Sequence, residues 1–255
     1  MYNTYNAAVK TSGRYTLKIV IDDDPMNPRE DCSNFGKMAC WHKRYTLGDK
    51  HDYNDPDDFL KDLAQQTPGA DIVAYVKDGK ADGLTLEYDK SSREWTLKSY
   101  DDYFKKWYVE QTYPAPLDLK SGYVSDDIVD AMSRDDLIIL AEITNLIMPL
   151  YLYDHSGITI STSSFRDRWD SGLVGWTYAS YSEIAKEYDA VTDESIEKAR
   201  NLLIAEVENY DCYLRGDCYG FQLFKDGEET DSCWGFLGSF DEAKDAIREY
   251  LPESA

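Results

Sequence analysis

Basic residues are scarce in this chain: 27 Lys and Arg stand against 49 Asp and Glu in 255 residues, and with three neutral histidines the formal charge is −22. A surface so poor in cations repels phosphate backbones and anionic lipid headgroups, so neither direct nucleic-acid binding nor membrane binding is expected. Long hydrophobic runs are also missing. The most apolar stretch, residues 137–152, is interrupted by Glu142, Asn145 and Pro149 and falls short of the roughly 20 residues that cross a bilayer. The first twelve residues are polar and lack an apolar signal core, so the expected location is cytoplasmic.

Cysteine is sparse and unpatterned. Cys32, Cys40, Cys212, Cys218 and Cys233 form an odd set without a Cys-x-x-Cys pair, which reads as reduced thiols in a chain that needs no disulfide staples. There is no Gly-x-x-x-x-Gly-Lys-Ser/Thr phosphate cradle, no Gly-x-Gly-x-x-Gly after a strand and no EF-hand loop, and no cofactor is expected.

What the chain does have is aromatic content. Aromatics make up 14% of residues, with 21 Tyr and 6 Trp, inside a 42% hydrophobic composition that is too apolar for an acidic disordered chain. A folded protein of one large or two small domains follows. Residues 1–50 carry 8 basic and 6 acidic side chains, whereas residues 201–255 carry 4 and 13. The acids are interleaved with aromatics through nearly every segment, so the folded surface itself is expected to be acidic and not an appended tail. A boundary is placed near 149–157, dividing an N-terminal part, 1–150, from a C-terminal part, 151–255.

Patterning points to an α+β fold with mainly antiparallel sheet, packed helices and a C-terminal helix-hairpin-helix segment. Residues 14–22 alternate as a half-buried strand, and Pro56-Asp57-Asp58 opens a helix that Thr67-Pro68-Gly69 ends. Residues 71–76, 83–88 and 94–97 read as a meander separated by turn chemistry. Ser133 should cap a helix running through Leu137, Leu140, Ala141 and Ile147 to Pro149. Ser180-x-x-Glu183 and Ser239-x-x-Glu242 fit the capping box. Ile196, Ala199, Leu203, Val207 and Tyr210 form one helix face, and residues 219–224 and 232–236 form a hairpin.

Residues 34–49, NFGKMACWHKRYTLGD, are the densest non-acidic stretch. Cys40-x-His42 on a strand would share one face, and His155 or Cys233 could supply a third metal ligand; with no second close pair, no metal site is expected. Cys40 with His155 is the nucleophile-and-base version of the same idea, with Lys43 and Arg44 near enough to lower a thiol pKa. Asp154-His155-Ser156-Gly157 and Asp170-Ser171-Gly172 invite a hydrolase triad, yet neither serine has the first glycine of a nucleophile elbow, and both read better as tight turns.

Residues 34–49, Tyr153-Asp-His-Ser-Gly157 and Trp169-Asp-Ser-Gly-Leu-Val-Gly175 resemble a family of uncharacterised proteins encoded by bacteriophages and integrated mobile elements. The resemblance covers most of the chain and implies a bacterial host cell as its setting; it carries no catalytic residues. Chains of this origin include small proteins that disarm host defence by presenting acid to a nucleic-acid-binding site.

Two functions are therefore expected to compete. The first is an acidic, non-enzymatic inhibitor that binds a host nucleic-acid-binding protein or nuclease complex, of the anti-restriction or anti-CRISPR type, imitating duplex phosphates. Its partner-binding carboxylates would be Asp101, Asp102, Glu206, Glu208, Asp211, Asp241, Glu242 and Asp245, with neighbouring aromatics as anchors. The second is an enzyme or metal protein centred on Cys40, His42 and His155.

Overall fold

A computed structural model describes residues 6–167 and 169–252. Among these the order runs β1 (Asn6–Ser12), β2 (Tyr15–Ile21), β3 (Lys37–Cys40), α1 (Pro56–Gln65), α2 (Gly69–Lys77), β4 (Leu84–Asp89), β5 (Glu94–Asp101), β6 (Lys106–Pro114) and α3 (Tyr123–Asp130). It continues through α4 (Arg134–Ala141), β7 (Asn145–Asp154), β8 (Ile158–Ser161), β9 (Ser171–Ser180), α5 (Tyr181–Tyr188), α6 (Asp193–Arg215), β10 (Cys218–Lys225), β11 (Glu228–Leu237) and α7 (Phe240–Arg248). The fold is α+β with mainly antiparallel sheets. No helix among the described residues is long and apolar enough to cross a membrane.

The chain forms two compact units, and neither is a contiguous half. One comprises Met1–Asp49, Met148–Thr177 and Glu197–Ala255; the other comprises Lys50–Ile147 and Tyr178–Ile196. The division expected at residue 150 marks only one of the crossings. It fails as a domain boundary because β2 hydrogen-bonds to β10 and β3 to β9, so the N-terminal 49 residues belong with the C-terminal third.

In the first unit, β1-β2-β10-β11 make an antiparallel sheet. Alternation places Leu17, Ile19, Phe221 and Leu223 on one face, where they bury with Ala243 and Ile247 of α7. The β10–β11 turn is Asp226-Gly227, with φ of 53° and 90°, the two left-handed residues that a two-residue hairpin requires. Ser239 caps α7 with a complete capping box. A second sheet, ordered β3-β9-β7-β8, packs Met38, Cys40, Leu150, Leu152, Ile160 and Val174 against Val207 and Tyr210 of α6. Gly175 is obligatory there: a Cβ would stand 1.9 Å from the Ala39 carbonyl oxygen.

The second unit packs α1 against α4 and α2 against α3, with α2 also packing on β4 of the meander β4-β5-β6. Asp55 caps α1 by accepting from the Asp57 and Asp58 amides, and Phe59, Leu60 and Leu63 are buried. Residues 71–76, expected as a strand, are helical within α2: Ile72, Val73 and Val76 form a buried helix face, and a short apolar run carries no period that separates the two states. The meander's third strand is β6 instead. Ser133 caps α4 as expected, but the helix ends at Ala141 and Ile147 and Pro149 lie in β7. Pro149 is tolerated in that strand because β8 pairs only with Tyr151–Asp154, leaving the stretch around it with no β8 partner. The Asp136 carboxylate is buried in full use, accepting from the Tyr75 hydroxyl at 2.8 Å, the Ser133 hydroxyl at 2.7 Å and the Asp82 amide at 3.1 Å.

Candidate functional site

Residues 34–49, 153–157 and 169–175, singled out in the sequence, all lie in the first unit. Its sheet order sets β9 beside both β3 and β7. The Trp41 amide donates to the Val174 carbonyl at 2.7 Å and the Asp154 amide to the Asp170 carbonyl at 2.8 Å. The result is a cleft of about 600 Å³ lined by Trp41 to Arg44, Leu152, Asp154 and Trp169 to Val174. Arg44 pairs with Asp154 at 3.1 Å, and the Tyr45 hydroxyl donates to the same carboxylate at 3.2 Å. The His42 ring stacks on Tyr45 with centroids 4.9 Å apart, and its Nδ1 accepts from the Arg44 amide at 3.3 Å. His155 Nδ1 lies 2.9 Å from Asp170 Oδ2.

Of the expected Cys40, His42 and His155 trio, only the histidines lie at the surface. Cys40 points into the core, and burial, with Asp49 adding to it, pushes its thiol up to about 12. Its burial in the core and its raised pKa both disfavour the thiolate that a nucleophile requires. The Cys40-x-His42 pair shares no strand face because β3 ends at Cys40. Among the described residues no three His, Cys, Asp or Glu side chains are grouped to hold a metal ion. The Ser171 hydroxyl donates to the Asp167 carbonyl, and Ser156 occupies a turn at φ 59°, so the described hydrogen bonds of His155 include no serine nucleophile.

The eight carboxylates expected to face a partner divide. Glu206 is only 11% exposed and accepts from the Phe35 and Gly36 amides, at 2.5 and 3.0 Å, and from Arg29. Asp211 holds the Thr159 hydroxyl and the Ile160 amide of β8. Both are turned to internal use. Glu242 closes the α7 capping box, while Asp241 and Asp245 are exposed and paired with Lys244 and Arg248 on the same helix. Glu208 is exposed. Asp101 and Asp102 belong to the second unit, the others to the first.

In that second unit, the β5–β6 hairpin presents Tyr103, 88% exposed, and Phe104, with Asp101 accepting from both of their amides at 2.9 Å. Beside it lies a hollow of about 700 Å³ lined by Asp82, Ser99, Tyr100, Asp102, Trp107 and Met132 among others, without a Lys or Arg. The Tyr100 and Trp107 rings are 5.2 Å apart.

Sequence reading missed Arg29, whose side chain is 1% exposed. It donates to Asp49 at 2.8 Å from two nitrogens and to the Gly36 carbonyl at 2.9 Å, and it approaches Glu206 at 3.5 Å. Asp49 in turn accepts from the Met38 amide at 2.8 Å. This network explains why the loop before β3 and the Gly48-Asp49 return hold their shape. The available signal was an arginine followed by a stretch rich in backbone-exposing residues, which is too common to single out. In comparisons with protein-family models, curated proteins and solved structures, nothing matches this chain.

Proposed function

We propose that the protein is a non-enzymatic binding protein that docks its acidic surface on a basic, nucleic-acid-binding partner, in keeping with a phage or mobile-element inhibitor of host defence. The reading rests on the hollow beside the β5–β6 hairpin. Two aromatic rings and the carboxylates of Asp82 and Asp102 form a receptacle for an arginine or lysine side chain, which would compete for Asp102 with Lys105, 3.2 Å away and outside the lining. A guanidinium there would gain both a ring face and a charged acceptor. Tyr103 and Phe104 at the hairpin tip supply anchoring area, and the charge of −22 would steer a basic partner toward the chain.

The test is capture from a bacterial lysate with the full chain as bait, eluted in salt steps and with competing duplex DNA, in parallel with Asp82→Lys/Asp102→Lys. Retention of a nucleic-acid-processing protein that duplex DNA displaces, and that the double variant does not retain, supports the proposal. If wild type and variant retain the same abundant basic proteins, all released by modest salt, the proposal fails.

A further inference from the structure

We propose that the cleft between Trp41–Arg44 and Trp169–Val174 binds a nucleoside monophosphate, a planar base carrying a sugar and a single phosphate. Its volume of about 600 Å³ falls within the range of small-molecule sites. Three kinds of lining stand together there, each matching one part of such a ligand.

Aromatic and apolar surface comes first. Trp41, Leu152, Leu173 and Val174 line the cleft, and Trp169, a residue 96% exposed, stands at it. An indole left in water offers a full face for a base to stack on. Charge comes second. Lys43 lines the cleft and forms no ion pair among the described residues, in a chain where acids outnumber bases 49 to 27. A lysine ammonium is a compact phosphate partner, and Arg44 next to it is fixed by Asp154 at 3.1 Å and by the Tyr45 ring beneath it, 5.2 Å away. Hydrogen-bond acceptors come third. Asp170 is oriented through Oδ2 by His155, and its Oδ1, which has no hydrogen bond among the described residues, can accept from a ribose hydroxyl or an exocyclic amine.

Inorganic phosphate alone would leave the aromatic surface without a partner, and a neutral aromatic ligand would leave Lys43 without one. A nucleic-acid strand would bring many phosphates into the field of a chain of charge −22, whereas one phosphate seated against Lys43 is governed by the charges within a screening length of about 8 Å at physiological salt. The side chains here take the place of the glycine-rich phosphate loop that the sequence lacks. The inference is independent of partner docking at the second unit's hairpin.

Isothermal titration calorimetry of the full chain with AMP, GMP, CMP and UMP tests it, with adenosine and inorganic phosphate as partial probes. At least one monophosphate should bind saturably and at least about fivefold more tightly than either partial probe. Lys43→Ala should weaken the monophosphate about fivefold or more while leaving adenosine unchanged. Trp169→Ala should weaken the monophosphate and adenosine alike and leave phosphate unchanged. Both replaced side chains are exposed, so far-UV circular dichroism should match wild type. Absence of saturable binding by all four nucleotides at millimolar concentration overturns the proposal, as does binding that neither variant alters.

Discussion

Replacing Arg29 by methionine should be among the most destabilising single changes in the first unit. The guanidinium is almost wholly buried and bridges Asp49 and Glu206, which approach it at 2.8 and 3.5 Å. Methionine fills much of the volume but leaves two carboxylates close to each other without a cation, each still partly held by backbone amides of Phe35, Gly36 and Met38. Removing one partner of a buried ion group costs about 3–5 kcal/mol, because the remaining charge keeps its desolvation penalty. For a chain of this size that is a fall in Tm of roughly 6–20 °C. Urea unfolding followed by far-UV circular dichroism measures it. Glu206→Gln in the Arg29→Met background should restore part of the loss, since it removes one of the stranded charges and keeps an acceptor for an amide, so the double variant should cost less than the two singles added. A cost below about 1 kcal/mol for Arg29→Met, or strict additivity with Glu206→Gln, would refute the assignment of this group as the clamp on the loop before β3.

Stability should also fall in alkali. Burial holds the Cys40 thiol and the Tyr210 hydroxyl up at about 12 and Cys218 at about 11, so the unfolded chain loses these protons first, and stability declines as pH rises from about 9 toward 12. A Tm that stays flat between pH 8 and pH 10.5 contradicts this. Gly175→Ala should cost about 1–3 kcal/mol in urea unfolding, because its Cβ meets the Ala39 backbone and strands β3 and β9 must part. Ser239→Ala should cost about 1 kcal/mol, since the Glu242 amide loses its acceptor at the start of α7; no loss would mean that the box is dispensable. Tyr103→Ala should change stability by less than about 0.5 kcal/mol, so any loss of partner binding in that variant reports on the interface.

The sequence by itself determined the elements whose signals are local. Serine and glutamate three residues apart start α5 and α7, the 3.6-residue period marks α6, Asp226-Gly227 turns the last hairpin, and alternation places β2. Composition likewise settled that the chain folds and carries a strongly acidic surface. Short apolar runs defeated it, since residues 71–76 and 145–150 offer too few side chains to distinguish a helix face from a strand. Only the tertiary structure decided which charges are used internally and which face outward. Glu206 and Asp211 look like any other acids in the sequence and become internal acceptors because α6 packs against the β3-β9-β7-β8 sheet, while Cys40 is buried in the same core. The cleft exists because Trp41 to Arg44 and Trp169 to Val174, more than 120 residues apart, are joined through the pairing of β3 with β9. Pairing between distant strands depends on the packing of the whole chain, which no local pattern encodes.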